Sequence, residues 1–252
     1  MANDAVQLGF EDSIATIVLN DPDRRNAMSI AMFDALDEAL DNVAARDDIH
    51  VLLLRGNGKA FCSGFEISAA VDDPTVMKQY IDRLSATIRT LRRLPQVVVA
   101  AVHGAAIAGG CAMVSACDIV IASATTKFGY PVHRLGVSPA VNIATLQQAI
   151  GSGGARSLLM SGELIDGSAA HRQGLVHHLV NEDEAVLGKA AAMCHQLTEQ
   201  SPQALRVTKH WLNELDGSLD DDLFDGPRDG SAEITTSDEA LGRLREAWSK
   251  RG

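Results

Sequence analysis

Two short runs that are apolar at every inner position, His50–Arg55 (HVLLLR) and Val97–Val102 (VVVAAV), constrain this chain more than anything else in it. A strand with one wet face alternates apolar and polar residues. A strand without alternation buries both faces, which requires helices above and below a mostly parallel sheet. Parallel strands in turn need long crossover connections, and the intervening sequence supplies them. After Ser29, a candidate N-cap, the residues Met32, Phe33, Leu36, Leu40 and Val43 fall on one face of a helix. Asp73-Pro74 opens a second helix with Pro at its first position; its stripe is Met77, Ile81, Leu84, Ile88 and Leu91, and Pro95 ends it. Ser13–Asn20 and Asp118–Ala122 read as further strands, and about Gly109 to Ala116 as a helix of small residues.

Beyond about Ser138 the pattern turns helical, near 140–150, 153–161, 184–199, 201–215 and 237–249, with a short strand at His177–Val180. Asp216–Ser231 is rich in Asp and Gly and reads as a loop or mobile connection. The 252 residues suit one large domain with a helical appendix. We expect the division near residue 195, with 1–195 as the core and 196–252 as a helical region. The net charge of −11 argues against nucleic acid and anionic membranes as partners. Without a secretory pattern at the N-terminus, the four cysteines read as reduced thiols, and a cytoplasmic location is expected. His177-His178 invites a metal reading, but adjacent side chains on a strand face opposite ways, so no metal site is expected.

Two glycine-containing segments carry the chemistry. Phe61-Cys-Ser-Gly-Phe-Glu-Ile67 and His103-Gly-Ala-Ala-Ile-Ala-Gly-Gly-Cys111 each follow an apolar strand and lead towards a helix. A chain entering a helix exposes unpaired amides, and small residues let a ligand carbonyl approach them. The plainer alternative is that the glycines serve only tight turns and close packing. Neither segment has the dinucleotide-binding spacing.

The chain resembles the crotonase family, also called the enoyl-CoA hydratase/isomerase family. The resemblance rests on Leu19–Met28, Phe61–Ile67, Val102–Ile119, Phe128–Pro131 with Leu135-Gly136, and Ser201–Lys209, in that order. It implies an α/β crotonase-like spiral of ββα units forming two nearly perpendicular sheets, followed by a C-terminal helical trimerisation region. It also implies homotrimers or hexamers that bind acyl-CoA thioesters, with no cofactor beyond the coenzyme A of the substrate. By position, the amides of Phe65 and Gly109 would hold the thioester oxygen, and Arg25, Ala27, Lys59 and Ser63 would contact coenzyme A.

The family's hydratases use two glutamates, which would fall here at Ala112 and Val132; some isomerases place a carboxylate at or near Ala140. None of these side chains can move a proton. His133 follows the second position and could act as a general acid or base, and Tyr130 could donate from its hydroxyl. Glu66 is expected to support a helix start, Asp118 to be structural, and Cys62 and Cys111 to be packed small residues. Three functions remain open: an acyl-CoA enzyme of the hydratase/isomerase type, a non-catalytic acyl-CoA-binding protein, and an oligomeric scaffold.

Overall fold

The computed structural model describes residues 5–73 and 75–249. The expected helix-opening Pro74 therefore lies outside the described residues. Strand β1 (Val6–Glu11) turns at Asp12-Ser13 into β2 (Ile14–Leu19), and α1 (Ile30–Ala44) leads to β3 (Val51–Gly56). Helices α2 (Ile67–Asp72) and α3 (Thr75–Arg93) precede β4 (Val97–Val102), β5 (Ala105–Ile107), α4 (Gly109–Ser115), β6 (Ile119–Ser123) and β7 (Lys127–Gly129). Then come α5 (Ile143–Ser161), β8 (Leu164–Asp166), α6 (Gly167–Gln173), β9 (His178–Val180), α7 (Asp183–Thr198), α8 (Pro202–Leu215), α9 (Asp222–Glu233) and α10 (Asp238–Ser249). Among the described residues no helix is long and apolar enough to cross a membrane.

The main sheet has the order β1-β2-β3-β4-β6-β9 and is parallel except for its first pair. The apolar runs bury both faces, as their patterning requires. Leu52 and Leu54 of β3, with Val98, Ala100 and Val102 of β4, join α1 and α3 in the larger core. Val51, Leu53, Val97, Val99 and Ala101 face the other way, onto Val186, Ala190 and Cys194 of α7. Ser29 caps α1, its Oγ accepting from the Met32 amide at 3.1 Å. A second sheet, β5-β7-β8, consists of three-residue strands too short to show a period in sequence. Helix α5 breaks at Gly151 (φ 71°, ψ 162°), between the two helical segments expected there.

One expectation is corrected. Asp216–Ser231 is not a loop throughout: α9 occupies Asp222–Glu233 despite Gly226, Pro227 and Gly230. Tertiary contacts outweigh the poor helix propensity. Arg89 and Arg93 of α3 pair with Asp225 at 2.8 Å and Asp221 at 2.7 Å, and both guanidinium groups lie over the buried ring of Phe224. Helices α9 and α10 then return to residues 136–141. Ser231 Oγ accepts from the Val141 amide at 3.0 Å, and Gly136 sits so close to Ala240 that a Cβ there would lie 2.5 Å from its Cα.

Helix α8 is pinned to the sheet by one ion pair. Lys209 Nζ lies 2.6 Å from Asp118 Oδ2 and donates to the Gln96 carbonyl at 2.9 Å, while Asp118 also accepts from the Val98 amide at 2.7 Å. The outer face of α8 leaves Trp211, Leu212 and Leu215 exposed. Replacing Asp118 with Ala is expected to lower the unfolding free energy by about 3 kcal/mol, because Lys209 would keep a buried charge without its partner. Urea unfolding measures this; a loss below about 1 kcal/mol would mark the pair as no stronger than a surface one.

Candidate active site

The two glycine segments lie side by side. The Phe61 amide donates to the His103 carbonyl (3.1 Å), that of Cys62 to Ala105 (3.1 Å), and that of Ile107 back to Cys62 (2.9 Å). This parallel pairing fixes the register of the two chains before both turn away. The turns are sharp: Gly64 has φ 95°, and Ala108 holds the uncommon pair φ 51°, ψ −113°. A non-glycine residue held in such a region costs about 1–3 kcal/mol. Glycine is required where the chains touch, since a Cβ on Gly110 would lie 2.6 Å from the Cys62 carbonyl oxygen.

Immediately past the turns come Phe65 and Gly109. Gly109 is the first residue of α4, so its amide has no partner within the helix. Among the described residues neither amide has a hydrogen-bond partner. Both residues line the same cavity, which holds about 790 Å³ including its open mouth.

A third piece of chain is locked to this pair. The Ser63 amide donates to Arg25 (3.0 Å), that of Met28 to Gly64 (2.8 Å), and that of Glu66 to Met28 (3.0 Å). Asn26, fully buried, holds the loop in place. Its Nδ2 lies 2.9, 2.8 and 3.1 Å from the carbonyls of Asn57, Ala60 and Phe61, and its Oδ1 accepts from the Asp21 amide at 2.8 Å. Arg25 and Asn26 both have φ 54°. Arg25 and Lys59 stay exposed, with no ion-pair partner among the described residues; Ala27 and Ser63 are half-buried, and Ser63 lines the cavity. Arg24 differs, pairing with Glu66 at 3.4 Å. Glu66 stands at the N-cap of α2, but its side chain makes no capping bond.

The cavity wall is apolar. Helix α3 contributes Met77, Ile81 and Leu84, and the 130–142 segment contributes Val132, Val137 and Val141. Ala112 and Val132 stand in the wall, whereas Ala140 does not line it. Among the described residues the lining holds no Asp, Glu, His or Lys; its titratable side chains are Tyr130 and Arg134. The Phe65 ring stacks on Tyr80 with centroids 5.1 Å apart.

Tyr130 lines the cavity but is fully engaged by the protein. Its hydroxyl accepts from Asn142 Nδ2 and meets the Cys111 thiol, and burial pushes its pKa well above the usual phenol value. Behind it, Asn142 Oδ1 lies 2.8 Å from Ser115 Oγ and 2.9 Å from Thr145 Oγ1, all of them buried. His133 opens a 3-10 turn, is exposed, and lies outside the cavity lining. Its neighbour Arg134 lines the cavity instead. One step along the chain turned the side chain away, and sequence carried no sign of which way. Phe65, Gly109, Tyr130 and Ser63 therefore come together around one cavity, and His133 does not. Burial pushes Cys62 up to about 12 and Cys111 up to about 11, which leaves both as thiols at neutral pH. The sequence reading missed Asn26, Asn142 and Arg134. Only Asn26 left a signal, as an Asn suited to a left-handed position.

Comparison with known proteins bears on this geometry. The Enoyl-CoA hydratase/isomerase family matches residues 9–220. The 1,2-epoxyphenylacetyl-CoA isomerase of Escherichia coli is 30% identical over 225 residues, covering 87% of this chain and 86% of that one. The crystal structure of an enoyl-CoA hydratase/carnithine racemase from Magnetospirillum magneticum is 32% identical, with a TM-score of 0.78 over 84% of this chain and 81% of that one. An enoyl-CoA hydratase/isomerase structure from Mycobacterium paratuberculosis shares the fold, with a TM-score of 0.87 at 21% identity over 96% of this chain and 98% of that one.

Asn26→Ala is expected to cost about 3 kcal/mol in urea unfolding, since buried carbonyls lose their donor and Ala must hold a left-handed φ. Asn26→Asp is expected to cost at least as much, because it sets an anion against the same carbonyls. Wild-type stability in the Asp variant would refute the assigned hydrogen bonds.

Proposed function

The chain belongs to the enoyl-CoA hydratase/isomerase family, and we propose that it acts on acyl-CoA thioesters by polarising the thioester carbonyl between the amides of Phe65 and Gly109. The observation that carries this reading is the pair of unpaired amides on one cavity, set side by side by the 61–62/103–107 pairing. Backbone donors aimed at a developing oxyanion act at full strength because they need not reorganise; losing one costs about 2.7–4 kcal/mol in comparable sites. The donor at Phe65 is main chain, so its bulky ring does not remove it. Arg25 and Lys59, exposed and without ion pairs among the described residues, are suited to the coenzyme's phosphates, with Ala27 and Ser63 along the path to the cavity.

Among the described residues the wall offers no carboxylate or imidazole to shuttle a proton. In this reading the thioester enolate forms against the two amides, and water entering through the open mouth exchanges the proton at the α-carbon. That absence also favours a second reading, a non-catalytic acyl-CoA carrier on the same fold. The exposed apolar face of α8 supports a homotrimeric or hexameric assembly.

Two measurements test the proposal. The C=O stretch of a bound enoyl thioester, read by difference Raman spectroscopy, is expected to fall below its value in free solution. An unshifted band in a saturated complex would remove the oxyanion site. Exchange of the γ-protons of crotonyl-CoA and of the α-protons of butyryl-CoA in heavy water separates enzyme from carrier, and tight binding without exchange identifies the carrier. His133→Ala is expected to leave any exchange rate within about twofold, since the imidazole stands outside the cavity; a drop of about tenfold would return His133 to the mechanism.

A further inference from the structure

Resting on the acyl-thioester reading above, we propose that Arg134 selects thioesters whose acyl group ends in a carboxylate. Among the described residues, Arg134 is the one permanently charged side chain lining the cavity. It is the middle residue of the 3-10 turn His133–Leu135, two residues beyond Val132, and it remains exposed. Its guanidinium has no ion-pair or hydrogen-bond partner among the described residues, in a chain whose net charge is −11. Arginines elsewhere find carboxylates readily: Arg83 lies 3.1 Å from Asp37, Arg92 2.7 Å from Asp216, and Arg228 2.9 Å from Asp225. Among the described residues the lining holds no Asp or Glu that could neutralise Arg134.

The fork of a guanidinium matches a carboxylate with two parallel N–H···O bonds. The cavity presents that fork beside an otherwise apolar wall, so its complement is a ligand with an apolar middle and an anionic end. The coenzyme's own phosphates have other candidates. Arg25 and Lys59 belong to the loops joined to the Ser63 side of the site, whereas Arg134 belongs to the 130–142 wall. The carboxylate served by Arg134 is therefore that of the acyl group.

Isothermal titration calorimetry with the full chain tests this. Glutaryl-CoA carries a terminal carboxylate, pentanoyl-CoA ends in a methyl group, and free CoA reports the phosphate contacts alone. Wild-type protein is expected to bind glutaryl-CoA about tenfold more tightly than pentanoyl-CoA. In Arg134→Met the ratio is expected to fall to about one, and Arg134→Lys is expected to keep part of it, since it retains the charge and loses the fork. Equal wild-type affinities for the two thioesters would overturn the proposal. So would an Arg134→Met variant that weakens glutaryl-CoA, pentanoyl-CoA and CoA by one common factor, which would assign Arg134 to the phosphates. Should neither thioester bind the wild type, the thioester reading itself fails.

Discussion

Everything at the site depends on a few backbone hydrogen bonds between two pieces of chain that are far apart in sequence. Residues 61–62 and 103–107 pair in parallel, and the contact at Gly110 leaves no room for a Cβ against the Cys62 carbonyl. Both chains then turn, one at Gly64 and one at the strained Ala108, and bring Phe65 and Gly109, whose amides have no partner among the described residues, to the same cavity. The pairing exists because β3 and β4 are neighbours in the sheet, and they are neighbours because both are apolar on both faces. The position of two amides thus traces back to the runs HVLLLR and VVVAAV.

The buried polar residues behind the cavity spend their hydrogen bonds on one another. Tyr130, Asn142, Ser115 and Thr145 form a closed cluster, with Ser115 Oγ also 2.9 Å from the Ala112 carbonyl. A satisfied network of this kind rigidifies a wall. It also commits the Tyr130 hydroxyl and the Asn142 amide to the protein, and among the described residues Arg134 is the wall's one charged side chain.

Elements with a strong period were legible before any coordinates. The stripes of α1 and α3, the double-faced strands β3 and β4, and the division of α5 all follow from local pattern. The second sheet was not legible, because three-residue strands have no measurable period. Helix α9 was not legible because its stability lies in Arg89, Arg93 and Phe224, contacts invisible to a window of sequence. At the site, motif order pointed to the amides of Phe65 and Gly109, a proposal that depends on chain position and not on side-chain direction. His133 and Arg134 could not be told apart from sequence. Which of two neighbours on a 3-10 turn faces inward depends on the turn itself, and no periodicity precedes it.

The return of α9 and α10 to residues 136–141 bears on when the cavity comes into being during synthesis. Ser231 and Ala240 brace the wall that carries Val137 and Val141. A ribosome that has released the chain only as far as α7 can have built the sheet and paired the two glycine segments. It cannot yet have finished the wall opposite them. The nascent protein thus has a folded scaffold before its cavity is walled in, and helices α9 and α10 complete it.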